Sequence, residues 1–183
     1  KHTILSGQAI GSRARRVASF GGLNFFKPEN AHHRERLGPD AKGQEAYSGW
    51  AGLIKKNPFT SDKDIVDNQV AIIEYANGVR ATFHTNCNAG ICERRMYVLG
   101  SEGALRADLV AGTILTQRIG HDTKSVDHSS DTRGDHGGGD EVLSRELSES
   151  MLNGAKPGVG IEEGLASAIV TFAIDDAMDR GVV

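Results

Sequence analysis

Cysteine is nearly absent from this sequence, as are long apolar runs and any excess of positive charge, and each shortage removes a class of protein. Cys87 and Cys92 are the only two cysteines in 183 residues, and a lone pair near one strand end does not make the disulfide framework of a secreted domain. They read as reduced thiols, which points to a cytoplasmic protein. No apolar stretch approaches the roughly 20 residues that span a bilayer, so no membrane partner is expected. Net charge is −3, which supplies no basic field for nucleic acid or for an anionic membrane surface. Aromatic residues are scarce at 5% while glycine numbers 23, a balance that predicts many turns and a loop-rich perimeter. At this length the chain is one domain of ordinary size or slightly above, long enough to bury a real core. It opens at Lys1-His2 and is expected to be a piece of a longer protein.

Several catalytic signatures are missing as well. No Gly-x-Gly-x-x-Gly stands between a strand and a helix, so this chain shows no dinucleotide cradle, and no Walker loop is present. His136-Gly137-Gly138-Gly139 resembles the oxyanion segment of some esterases, but Gly-x-Ser-x-Gly is absent. An oxyanion hole without a nucleophile does no acyl chemistry. The glycines instead let the backbone approach a ligand or a neighbouring chain, with Asp140 capping the following helix. A structural turn and a site-lining turn both remain open there. Residues 121–140 carry His121, Asp122, Asp127, His128, Asp131, Asp135 and His136, the ligand types of a divalent metal site. Their spacing fits no EF-hand or zinc pattern, so the stretch reads as a solvated loop and no metal is expected. His32 and His33 would diverge on an extended loop, and His84 reads as a surface or interface residue.

The strongest positive signal is at residues 67–88, where two β-rich runs flank Asn77-Gly78, the marker of a hairpin. A two-residue type I′ loop would set Ala76 opposite Val79. Counting outward then puts Val70, Ile72, Ala76, Val79, Ala81 and Phe83 on a core face, and Ala71, Ile73, Tyr75, Arg80, Thr82 and His84 on a half-wet face. Tyr75 and Arg80 would be opposed as ring and cation. Further strands are expected at 93–99, 104–110 and 113–119, giving a meander of about five.

Elsewhere, residues 3–11 read as the end of a helix stopped at Gly11. Arg15 to Phe20 reads as a strand broken by Gly21-Gly22, followed by an extended segment that Pro28 turns into a loop. Residues 31–41 are expected to be a surface loop. Residues 42–56 are expected to be a short amphipathic helix with Tyr47, Trp50, Leu53 and Ile54 inward. Residues 120–139 look structureless. A helix is predicted over 140–152 with Leu143, Leu147 and Met151 in line, and another over Ile161 to Arg180 burying Leu165, Ala168, Ile169 and Phe172. Val182 and Val183 look like the start of a further strand.

Four motifs occur in a familiar order: Phe20-Gly21-Gly22-Leu23-Asn24-Phe25-Phe26-Lys27-Pro28-Glu29-Asn30-Ala31, then Asp67-Asn68-Gln69-Val70 leading to Tyr75-Ala76-Asn77-Gly78-Val79-Arg80-Ala81, then Gly100-Ser101-Glu102-Gly103-Ala104-Leu105, and His136-Gly137-Gly138-Gly139-Asp140. Together they resemble the C-terminal domain of the glucose-fructose oxidoreductase, inositol dehydrogenase and MocA (Gfo/Idh/MocA) family. The resemblance implies an α+β fold, an open, mainly antiparallel sheet of about five to seven strands with helices on one face, the other face making subunit contacts in a homo-oligomer. Residues 1–183 would be the substrate-binding and oligomerisation domain, and an N-terminal Rossmann domain holding NAD or NADP would lie outside this chain.

The implied function is hydride transfer from a sugar, polyol or related alcohol. Hydride leaves a carbinol carbon only as its hydroxyl proton is taken up, so a base must reach that oxygen. His2 is the residue near the place of the family's catalytic histidine, with Thr3 where that family has Asp. Asn24, Lys27 and His136 are the expected substrate-binding residues. The family's Glu-Lys-Pro lysine belongs to the other domain and is not Lys27. The rival reading is a non-catalytic binding or assembly module that kept the fold and lost the chemistry.

Overall fold

Seven strands among the described residues form two open antiparallel sheets, β1-β2-β3 and β4-β5-β6-β7, so the expected α+β class with an open antiparallel layer is present, divided in two. The computed structural model describes residues 10–48, 56–129 and 138–181. The chain divides into two compact units, one of residues 1–89 with 159–183 and one of residues 90–158.

In the first unit, β1 (Ala14–Gly22) pairs with β2 (Asn68–Tyr75), which pairs with β3 (Arg80–Asn86). Between β1 and β2 the chain makes a 3-10 turn at Pro28–Asn30 and a short helix, α1 (His32–Leu37). The long helix Ile161–Arg180, labelled α3, covers one face of the sheet. Ala71, Ile73 and Tyr75 form the core with Val170 and Ile174, flanked by Val17, Ala81 and Phe83. Burying an Ile side chain such as Ile73 or Ile174 contributes about 1.5–3 kcal/mol. Gln69, fully buried, reaches from β2 to the helix, where its amide donates to Asp175 at 3.0 Å.

The hairpin corrects the expected faces. Tyr75 pairs with Val79 through its N–H at 2.9 Å, and the Gly78 N–H returns to the Tyr75 carbonyl at 2.9 Å. Gly78 has φ 84°, so the loop has three residues and ends in a left-handed glycine, the second common hairpin geometry. Pairing is therefore Glu74 with Arg80 and Ile73 with Ala81. Ala81 and Phe83 keep their expected side against the core, Val79 is 43% exposed instead of buried, and on β2 the faces exchange. Ala71, Ile73 and Tyr75 are buried, and Val70 and Ile72 are 47% and 55% exposed. The expected Tyr75–Arg80 contact is replaced by ion pairs of Glu74 with Arg16 at 2.7 Å and Arg80 at 3.5 Å. The donors of the turn explain the change. Ala76 N–H goes to the Arg13 carbonyl at 3.0 Å and Asn77 N–H to Ser12 Oγ at 3.1 Å, so the incoming segment takes the donor that a two-residue loop would have used.

Other expectations change locally. β1 runs through Gly21 and Gly22 rather than breaking there. A Cβ at Gly21 would sit 2.4 Å from the Asn68 carbonyl oxygen, so glycine permits close strand approach. Residues 32–37 are helical instead of loop, and the His32 and His33 rings lie 4.2 Å apart. Residues 42–48 are turns rather than helix; Trp50, Leu53 and Ile54 lie outside the described residues, as do Val182, Val183 and residues 1–9. On α3 the buried residues are Val170 and Ile174, whereas Leu165, Ile169 and Phe172 are exposed, Phe172 by 70%.

In the second unit, β4 (Arg95–Leu99), β5 (Gly103–Asp108) and β6 (Thr113–Arg118) are the expected meander. The first turn closes by Gly100 N–H to Gly103 O at 2.8 Å. Within the stretch expected to be structureless, Val126–Asp127 adds β7 against Leu115 and Thr116. Helix α2 (Gly139–Asn153) has Gly138 at its N-cap, so Asp140 lies in the first turn and not at the cap. Leu143, Leu147 and Met151 are exposed along it.

Candidate functional site

Of the four residues singled out from sequence, Asn24 and Lys27 stand together on the segment that leaves β1, while His2 and His136 lie outside the described residues. That segment sits at the end of the sheet away from the hairpin, where Gly22 pairs with Asn68 and Asn68 with Asn86. Pro28 holds Lys27 extended at φ −115° and ψ 156°, because its ring disfavours helical geometry in the preceding residue. The Lys27 ammonium makes no ion pair or hydrogen bond among the described residues.

Asp67 organises the segment. Its carboxylate, in a residue only 5% exposed, accepts the backbone N–H groups of Asn24 at 3.1 Å, Phe25 at 2.7 Å and Phe26 at 2.8 Å, and the side-chain amide of Asn68 at 2.8 Å. Burial pushes this carboxyl up, but the N–H donors of Phe26 and Asn24, the Asn68 amide and the Phe25 N–H outweigh it and leave it below the ordinary carboxylate range. From the opposite side the Asn30 amide donates to the carbonyls of Phe25 at 2.8 Å and Asn24 at 3.2 Å. The Asn68 amide also donates to Asn24 Oδ1 at 3.0 Å. With that oxygen committed, the Asn24 amide nitrogen is left as a donor.

Aromatic side chains anchor the same loop. Phe25 and Phe26 meet edge to face at 5.1 Å, and Phe26 and Tyr47 lie 5.3 and 5.5 Å from the wholly buried Phe59, separations at which such rings attract. His33 stacks on Phe25 at 5.5 Å. Burial, then the charges of His32 and Arg36, hold the His33 imidazole below its ordinary value. Beside Tyr47 lies an open depression of about 580 Å3, lined also by Leu37, Asp40 and Gln44. Asp40 is committed to the N–H groups of Lys42 and Gln44, both at 2.8 Å.

Chemically, the loop offers an amide N–H and an ammonium on a braced backbone, donors suited to hydroxyl oxygens. No group of three His, Cys, Asp or Glu side chains able to hold a metal occurs among the described residues. No glycine-rich strand-to-helix turn there fits a dinucleotide pyrophosphate. No described helix is long and apolar enough to cross a membrane. Sequence reasoning missed the roles of Asp67, Asn68 and Asn30. All three stand in the quoted motifs, but the Asp67 bonds span 41 to 43 residues, a separation no local pattern reveals.

Comparison with known proteins gives a family match. Residues 17–182 match the one described as "Oxidoreductase family, C-terminal alpha/beta domain". No curated protein matches the sequence. Among solved structures, the fold is similar to an aldose-aldose oxidoreductase from Caulobacter crescentus complexed with glycerol, at 16% identity and TM-score 0.60 over 96% of this chain and 42% of that one. An NAD binding oxidoreductase from Klebsiella pneumoniae is similar at 13% identity and TM-score 0.62, over 92% and 44%. A super-repressor mutant of Gal80p from Saccharomyces cerevisiae is similar at 9% identity and TM-score 0.64, over 96% and 45%. The chain thus spans less than half the length of each of these three structures.

Proposed function

The chain belongs to the oxidoreductase family as its C-terminal α/β domain, and on that premise we propose that it is the substrate-binding and oligomerisation half of an NAD(P)-dependent enzyme that oxidises a sugar, polyol or related alcohol. The observation that carries the reading is the braced loop, on which the Asn24 amide and the Lys27 ammonium are left as donors on a backbone fixed by Asp67 and Asn30. A polyhydroxylated substrate offers many acceptor oxygens, and two fixed donors select which carbon is presented.

NAD or NADP would be held mainly by an N-terminal Rossmann domain beyond this chain, and its nicotinamide would supply the hydride chemistry. The residues here bind and orient. Asn24 and Lys27 hold the hydroxyls, His136 is a further substrate-binding residue of the proposal, and His2 takes up the hydroxyl proton. The outer face of the first sheet, where Phe20, Val70 and Ile72 are exposed, serves as the contact of a homo-oligomer in the cytoplasm. A second reading, a non-catalytic binding or assembly module, is favoured by Thr3 at the position where an acidic partner of His2 is expected, and by the fold shared with Gal80p, described as a super-repressor mutant.

The test is the full-length protein with NAD+ or NADP+ and a panel of myo-inositol, D-glucose, D-xylose and glycerol. Reduction of a nicotinamide by at least one of them is the expected result. Failure to bind either cofactor would remove the enzymatic reading and leave the second.

A further inference from the structure

We propose that Asp67 is a positioning residue of the substrate wall, shaping residues 24–27 so that the Asn24 amide and the Lys27 ammonium are offered to the sugar. The inference rests on the reading above of this chain as the substrate half of an oxidoreductase.

Three consecutive N–H groups converge on one carboxylate, two donors fall on each oxygen when Asn68 is included, and the acid comes from the residue just before β2 rather than from the loop itself. Such a concave run of backbone N–H groups is an anion-binding arrangement, here filled by the protein's own carboxylate. Enclosing a charge in a residue that is almost inaccessible is costly unless its lone pairs are met. At Asp67 they are met by the segment that carries the two free donors. Asn30 then ties the carbonyls of the same two peptides, and Asn68 fixes the rotation of the Asn24 side chain through its oxygen. The orientation of both substrate-facing groups is therefore set from β2. An Asn at position 67 would keep one acceptor and turn an NH2 toward N–H groups, which loosens the loop without removing Asn24 or Lys27.

The experiment compares full-length wild type, D67N and N30A, using whichever nicotinamide cofactor and panel sugar the wild type turns over. The KM for the sugar should rise about tenfold in both variants, with kcat and the KM for the cofactor changed less than about twofold, since the lost element is a binding contact of the two donors made equally in the ground and transition states. A merely structural role would lower the active fraction, hence kcat, and leave the sugar KM alone. If D67N does not fold, N30A decides by itself. A sugar KM unchanged in the folded variants, with an active wild type, overturns the role of Asp67 and leaves the enzyme reading standing. A wild type that turns over none of the panel overturns that reading and this inference with it.

Discussion

Asp67 shows how one side chain converts burial into order. Its folded carboxyl is held below the ordinary range by N–H donors, so the stability it contributes is present above the unfolded value near pH 4 and is lost as pH falls through the folded value. D67N should cost about 1–3 kcal/mol at neutral pH, the range for leaving buried hydrogen-bonding groups unpaired. The gap between wild type and variant should then narrow below about pH 4. Urea melts at a series of pH values measure both effects. Lys27→Met is the contrasting case, because the ammonium has no partner among the described residues to lose. Its unfolding free energy should stay within about 0.5 kcal/mol of wild type, while the KM of the full-length enzyme for sugar rises. Equal loss of stability in the two variants would mean that Lys27 is structural.

At the scale of elements, β2 is decided by a single residue of register. Asn68–Tyr75 carries apolar side chains on both faces, so alternation alone does not say which face is inward, and the turn decides. Ile73→Ala should cost about 2–5 kcal/mol, the range for a buried large-to-small change. Ile72→Ala, on the exposed face, should cost less than about 1 kcal/mol by the same denaturation assay. The opposite order would restore the two-residue turn. Gly21→Ala should cost about 1–3 kcal/mol through overpacking, because its Cβ would meet the Asn68 carbonyl and the Gln69 Cα at 2.8 Å. An unchanged melting midpoint would show that β1 and β2 can move apart at that point.

For the whole molecule, the chain is less than half of the structures it resembles, and the wall at Asn24 and Lys27 is one side of a proposed site. Residues 1–183 alone should therefore show no nicotinamide reduction with any sugar that the full-length protein oxidises. Turnover by the short chain alone would contradict the division of labour proposed here. The sequence by itself determined the local devices: the hairpin at Asn77-Gly78, the meander turn at Gly100 to Gly103, the helix Ile161–Arg180 and the family motifs, all written in residues a few positions apart. Only the tertiary structure decided which side of β2 faces α3, which stripe of that helix is buried and what braces the loop at Asn24. Those outcomes depend on partners far away in the chain, Arg13 taking the donor of Ala76 and Asp67 closing on residues 24–26, and where both faces of an element are apolar only such contacts choose between them.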